Sequence, residues 1–267
     1  MLYFWPYSKY EAIFHLKYII SIIPKNSSIF LVGKKNSGIN TIQNLFKMWI
    51  KFSKIDSAKH CCLFSGKIVS RPTFQFKAFI YNNFYNNINI KTIPGVFSYK
   101  KVDVGSQLLI STFTKPIKGD VLDVGCGSGI LSISLAKKFN KIKITLTDIN
   151  IAALESSKLT LKHNDISGEV FESDIYSNIY KTFNLIVSNP PRHERSKKNL
   201  NCIKKIIKNS TKYLKRNGEI RIVVNSNVSC DEFFRNTFFE YNVLLKNKNF
   251  KVYQAYKRNE IKKFKIS

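Results

Sequence analysis

Apolar residues along this chain recur with two different periods. Ile13, Leu16, Ile20 and Ile23 are spaced at three- and four-residue intervals, as on one face of an α-helix, and Pro24 closes the run. A short apolar run, SIFLVG, follows as a strand; KKNSG punctuates it, and INTIQNLFKMWI returns to helical spacing. The second half is more regular. Strands are predicted at 121–126, 143–148, 169–174, 183–188 and 219–225, helices at 129–139, 150–163, 198–215 and near 231–238, and a last strand pair ending near Tyr256. Such interspersion predicts an α/β fold with a mostly parallel sheet and right-handed crossovers, the terminal pair adding an antiparallel edge. Between the halves, FQFKAFIYNNFYNNINIK is rich in Asn, aromatics and Lys. It reads as a linker with strand pieces whose aromatics fill a domain interface, the alternative being that Tyr81, Phe84 or Tyr85 stacks on unpaired bases.

Chemistry enters at DVLDVGCGSGILSISLAKK, Asp120 to Lys138, a strand, a tight loop and a helix. Gly125, Gly127 and Gly129 allow a sharp turn and let a ligand approach the main chain where a Cβ would block it. A glycine loop alone also fits an ordinary strand-to-helix turn. Two acidic strand ends add to it: Asp148 closes KITLTDIN about 20 residues on, the interval for gripping a ribose diol, and Asp174 closes GEVFESD. The spacing G-x-G-x-G departs from the dinucleotide fingerprint, so an adenosine ligand without pyrophosphate fits better, S-adenosylmethionine above all. Asp123, Gly125, Cys126, Gly127, Gly129, Asp148 and Asp174 are the expected cofactor residues.

The strand FNLIVS then runs into Asn189-Pro190-Pro191. By itself this is a strand-terminating turn as readily as a site. After the glycine loop and two acidic strand ends, it has a chemical sense. The Asn189 side-chain oxygen and the Pro190 carbonyl can both accept from one planar NH₂ group, aligning its lone pair without a strong general base. Pro191, Arg192 and His193 are the expected substrate contacts, with Arg195 nearby.

Charge narrows the partners. Among 267 residues, 44 basic against 17 acidic leave +27, which argues for a polyanion and for binding that weakens with salt. An anionic membrane surface is an alternative, and so is compositional bias, since only seven of the 44 are Arg and Asn and Ile abound. The five cysteines lack the paired spacing of a zinc site or a disulfide framework and read as small buried hydrophobes in a reducing compartment. No metal is expected. Neither a signal peptide nor a run of about 20 apolar residues is apparent, so a cytoplasmic protein is expected.

Together, DVGCGSG, the Asp148 strand, SNPPRHE and GEIRIVVN resemble class I S-adenosylmethionine-dependent methyltransferases acting on an amino nitrogen. FWPYSKYEA, FLVGKKNSG, PGVFSYKKVDVGSQLLISTF and FKVYQAYKR resemble, more closely still, the ribosomal RNA small subunit methyltransferase C family, and these blocks cover nearly the whole chain. The resemblance implies a Rossmann-like catalytic domain over 91–267 that methylates N2 of one guanine in 16S rRNA of the small ribosomal subunit, as a monomer. It also implies that PGVFSYKKVDVGSQ helps to close the cofactor pocket, and that residues 1–90 are a shortened, degenerate methyltransferase-like domain and linker; so small a half-sheet would carry an exposed edge strand and is expected to lean on the second domain for stability. Consistently, IFLVGKKNSGIN faintly echoes VLDVGCGSGIL, with Leu31 in place of Asp123 and Lys34 and Asn36 in the loop, so this copy is expected to bind no cofactor; chance recurrence of such turns is the alternative. One departure stands out: the family carries an aromatic directly after NPP, where this chain has Arg192. Other readings of the motifs are methylation of another amine, a protein glutamine or an adenine, or a non-catalytic rRNA-binding assembly factor.

Overall fold

The computed structural model describes residues 1–191 and 197–258, and for 197–199 the backbone alone. The chain divides into two compact units at Ile80/Tyr81. The first contains β1 (Leu2–Phe4), α1 (Lys9–Ile22), β2 (Ser28–Lys34), α2 (Ile42–Phe46), β3 (Ile50–Asp56) and β4 (Cys61–Ile68). Ser8 caps α1 by accepting from the Glu11 N–H. Ile23 leaves the helix in an extended conformation (φ −74°, ψ 144°), as a residue before proline tends to do. Ala12, Leu16 and Ile20 are its buried face. They share a core with Trp5, Leu31, Phe46 and Phe64.

The four strands lie in the order β1-β2-β4-β3, with β1 parallel to β2 and the other pairings antiparallel. The second helix is shorter than its sequence spacing predicts. A 3₁₀ turn, Ile39–Thr41, precedes α2, which ends at Phe46. Ile50 already belongs to β3, because Ile50 and Phe52 alternate with Lys51 and Ser53 in the two-residue rhythm of a half-buried strand. Gly38 is left-handed (φ +84°) ahead of these turns, as Gly129 is (φ +79°) in the second glycine loop, so the local echo extends to the backbone. Of the aromatic segment, Phe74, Phe76 and Phe79 pack on Phe14 of α1, with ring centroids 5.6, 6.0 and 5.1 Å away.

The second unit opens with a hairpin, β5 (Tyr81–Tyr85) and β6 (Ile88–Thr92), then α3 (Val104–Ser111), β7 (Gly119–Val124), α4 (Ile130–Lys138), β8 (Ile142–Asp148), α5 (Ile151–His163) and β9 (Gly168–Glu172). It continues with β10 (Phe183–Ser188), α6 (Lys197–Tyr213), β11 (Leu214–Asn225), α7 (Asp231–Arg235), β12 (Tyr241–Lys246) and β13 (Phe250–Tyr256). The hairpin is tied to α5: the Lys91 and Ile93 N–H groups donate to Thr160 Oγ1 (3.0 Å) and Ser156 Oγ (3.1 Å). Gly105 and Ser106 lie inside α3. Its cap is Asp103, whose carboxylate accepts from the Ser106 N–H at 2.8 Å.

Seven strands form one sheet, β12-β13-β11-β10-β7-β8-β9. β9 to β11 in this order are mutually parallel, and β13 and β12 add an antiparallel edge. Period-two alternation splits the core. Val121, Leu185, Val187 and Val223 face Leu109 of α3, Leu131 and Ile133 of α4 and Leu161 of α5. Leu122, Ile186, Ile220 and Ile222 face Ile203 and Ile207 of α6 and Phe234 of α7. The chain runs outward from β7 through β9, then returns to lay β10 on the other flank of β7. That reversal opens a crevice at the carboxyl ends of β7 and β10. Among the described residues no helix is long and apolar enough to cross a membrane.

Candidate functional site

Register fixes the site before any side chain is considered. Val124, the last residue of β7, pairs with Ser188 on β10 and with Thr147 on β8, while Asp148 pairs with Glu172 on β9. Gly125 and Asn189 are therefore the next residues beyond one paired position, on strands about 4.8 Å apart. The Ser188 hydroxyl donates to the Val124 carbonyl at 2.7 Å and locks the two tips together.

The glycine loop is strapped to β8. The Gly125 and Cys126 N–H groups donate to the Thr147 carbonyl (2.8 and 2.9 Å), and the Gly127 N–H donates to Asp148 Oδ2 (3.0 Å). Gly125 (φ +73°) and Gly127 (φ +56°) are both left-handed, and a Cβ built on either would meet no atom within 4 Å. The loop thus bares its backbone along an open concavity that side chains would fill. Such a cradle, bordered by acidic strand ends, fits the adenosine ligand expected from the sequence. Cys126 is buried, its sulfur 3.3 Å from the Ser157 hydroxyl, which donates to the Gly127 carbonyl at 3.0 Å. Burial holds its thiol well above the usual cysteine range, so it packs the underside of the loop as a neutral group and offers no nucleophile.

Asp123 lies beneath the loop and is wholly buried. Its Oδ2 accepts from the N–H (3.3 Å) and hydroxyl (3.0 Å) of Ser132, in the first turn of α4, so a strand residue supplies the cap that Gly129 lacks. Its Oδ1 is buried without a hydrogen-bond partner. Burial raises the carboxyl to about 7 in spite of the two bonds from Ser132. Asp148 is half-buried, and its Oδ1 accepts from the Asn150 N–H at 2.9 Å. Asp174 is exposed two residues past β9, where its turn is closed by the Ser177 hydroxyl, which accepts from the Asp174 N–H at 3.0 Å.

Asn189 is half-buried, and its Nδ2 donates to Asp103 Oδ2 at 2.7 Å and to Ser106 Oγ at 2.8 Å. Pro190 is buried and Pro191 exposed. Arg192, His193 and Arg195 lie outside the described residues. The structure therefore brings Asn189 and the glycine loop to adjacent strand tips, with Asp148 and Asp174 on the tips beyond. Asp103 and Ser106 were not among the residues singled out from sequence. The available signal was Asp103 directly before the apolar run VGSQLLI, a helix-cap pattern. Nothing in it says that the cap also touches a residue 86 positions away.

Known proteins resemble this chain over most of its length. Residues 87–254 match the model of the methyltransferase small domain, and residues 1–83 that of the methyltransferase small domain N-terminal family. The chain is 54% identical over 257 residues to a protein of Buchnera aphidicola subsp. Baizongia pistaciae named ribosomal RNA small subunit methyltransferase C, covering 96% of this chain and 79% of that one. A relative of the same name from Erwinia tasmaniensis is 42% identical over 263 residues, covering 98% and 77%. Among solved structures, a T. thermophilus 16S rRNA N2 guanine-1207 methyltransferase in complex with AdoMet and guanosine superposes with a TM-score of 0.82 at 18% identity, covering 96% of this chain and 72% of that one. A methyltransferase from Pyrococcus furiosus superposes with a TM-score of 0.55 at 17% identity, over 65% and 90%. Both likenesses speak to the fold.

Proposed function

Because the chain belongs to the ribosomal RNA small subunit methyltransferase C family, we propose that it moves a methyl group from S-adenosylmethionine to the N2 amine of a guanine in 16S rRNA, the guanine at position 1207. The observation that carries this reading is the pairing of Val124 with Ser188, which sets an open glycine loop beside the Asn189-Pro190 turn. One tip receives a donor; its neighbour receives an acceptor.

S-adenosylmethionine, when bound, would supply a methyl carbon on a positively charged sulfur that keeps the electron pair of the broken carbon–sulfur bond, and the proton displaced from the guanine amine would pass to solvent water. Gly125 and Gly127 turn their open backbone to the cofactor side, Cys126 and Gly129 pack the loop against the interior, Asp123 lies beneath them, and Asp148 and Asp174 stand at and just past the neighbouring strand tips. Asn189 Oδ1 and the Pro190 carbonyl accept from the two amine N–H groups, which holds the amine planar orientation fixed and directs its lone pair away from the ring plane. Pro191, Arg192 and His193 contact the base, and the surplus of basic residues holds the RNA. A cytoplasmic monomer acting on the small ribosomal subunit completes the reading.

The test is mass spectrometry of nucleosides from small-subunit RNA and from assembled subunits, each incubated with the protein and methyl-labelled S-adenosylmethionine. Label in N2-methylguanosine is expected. Label in another nucleoside or in protein reassigns the acceptor, and subunit binding without any label makes the chain an assembly factor.

A further inference from the structure

We propose that Asp103 and Ser106 are positioning residues that fix which end of the Asn189 amide is offered to the acceptor amine, a proposal that rests on the methyl-transfer role given to Asn189 above. The two ends of an asparagine amide are alike in shape and opposite in hydrogen-bonding sense. An amine is gripped by the oxygen end and repelled by the NH₂ end, and rotation about the terminal torsion between them is soft. Something must choose.

The choice is made by α3. A carboxylate only accepts, and Asp103 Oδ2 sits 2.7 Å from Asn189 Nδ2, while Ser106 Oγ sits 2.8 Å from the same nitrogen. Two acceptors turn the NH₂ end toward the helix and set Oδ1 on the opposite side of the amide. Asp103 is itself held in place, since the same Oδ2 caps α3 by accepting from the Ser106 N–H. Both residues are buried, 8% and 4% exposed, so water does not compete for the contact. The far end of α3 is fastened as well. Arg221 donates to the Thr112 carbonyl at 2.8 Å and lies over the Phe113 ring, 3.9 Å from its centroid. A helix held at both ends thus presents a fixed pair of acceptors to the residue that follows β10.

The full chain carrying Asp103→Ala, Ser106→Ala, or Asp103→Ala with Asn189→Ala tests this. Asp103→Ala is expected to lower kcat on small-subunit RNA about tenfold to a hundredfold, the scale of a misplaced catalytic contact and well beyond any change in the calorimetric affinity for S-adenosylmethionine; Ser106→Ala lowers it less. Added to Asn189→Ala, the same change is expected to cost nothing more, there being no amide left to orient. An equal penalty in both backgrounds would show a merely structural role and overturn the proposal. A second readout is independent of turnover. The Asn189 side-chain amide protons, assigned by their loss in Asn189→Asp, are expected to exchange slowly in the unaltered protein and to shift and exchange faster in Asp103→Ala. Unchanged signals overturn the orientation role even in an active enzyme. An unaltered protein that transfers no methyl overturns the function reading instead, while the amide signals still decide the orientation. If Asp103→Ala does not fold, Asp103→Asn, which retains an oxygen acceptor but no charge, is read in the same way and is expected to give intermediate exchange.

Discussion

Asp148 reaches from the end of β8 to accept the Gly127 N–H at 3.0 Å, so the second strand tip holds the loop that follows the first. Its other oxygen is used by the Asn150 N–H, at the start of α5. One carboxylate thereby sets the shape of the glycine loop, the proposed cofactor side of the crevice, and a hydrogen bond to a charged group contributes about 1.5–3 kcal/mol. Asp148→Ala is expected to weaken S-adenosylmethionine binding about tenfold or more, 1.4 kcal/mol being one factor of ten. Isothermal titration calorimetry checks this, and an unchanged affinity would remove Asp148 from the site.

The glycines separate into two kinds by what surrounds them. At Gly127 an added methyl meets nothing within 4 Å, so Gly127→Ala costs only the left-handed backbone, about 1–2 kcal/mol, yet fills the cradle. At Gly129 an added Cβ comes within 3.1 Å of Leu146 and Ser157 side-chain atoms, so Gly129→Ala adds crowding of about 1–3 kcal/mol to the same strain. Denaturant melts are expected to rank Gly129→Ala as the less stable. Calorimetry is expected to show Gly127→Ala losing far more cofactor affinity than its stability loss implies. The reverse ranking would mean that the open side of the loop is not where the ligand lies.

Asp123 gives stability an unusual pH dependence. Its carboxyl titrates near 3.8 when the chain is unfolded and is raised to about 7 in the folded protein, chiefly by burial. Between those values the folded state keeps a proton that the unfolded chain has released. This group's contribution therefore falls as pH rises from 3.8 to about 7 and is level above that. Asp123→Asn keeps an oxygen for Ser132 and carries no charge. Subtracting its denaturant midpoints from those of the unaltered protein is expected to leave a difference that grows across this window in the variant's favour. Identical pH profiles would contradict the buried, protonatable state.

Arg221 and Glu219 form an ion pair at 2.5 Å with side chains 8% and 12% exposed. Gln254 also donates to Glu219 Oε1, at 2.9 Å. Removing one member of such a pair strands the other, which costs about 3–5 kcal/mol. Arg221→Ala is expected to lower the denaturant-extrapolated stability by that order, and Arg221→Ala with Glu219→Gln to recover part of it. If the single variant loses less than about 1 kcal/mol, the pair is solvated in solution.

The parallel half of the fold was legible because each strand is an apolar run ending in Gly, Asp or Asn, and because helical spacing resumes after each turn. Val121 to Val124 and Leu185 to Ser188 carry that signal almost without polar interruption. The first unit was harder. INTIQNLFKMWI is apolar enough for a helix throughout, and only the alternation beginning at Ile50 marks where β3 takes over. Cys61 to Ile68, which pairs with strands on both sides, has small residues at Ser65 and Gly66 that dilute its strand pattern. In the candidate site the placement of the glycine loop and Asn189 at neighbouring strand tips could be read, because strand tips are a property of local sequence. Asp103 could be read only as a cap, since its contact with Asn189 depends on how α3 lies across the sheet, and no local pattern encodes that.

The reversal of chain direction after β9 means that the two halves of the crevice are separately specified. The strand-tip residues proposed to cradle a donor lie between Asp120 and Asp174, and those proposed to meet the acceptor begin at Asn189, with α3 as its support. On the proposed assignment, a change of acceptor would therefore be sought on the β10 side of the crevice and a change of donor on the β7 side.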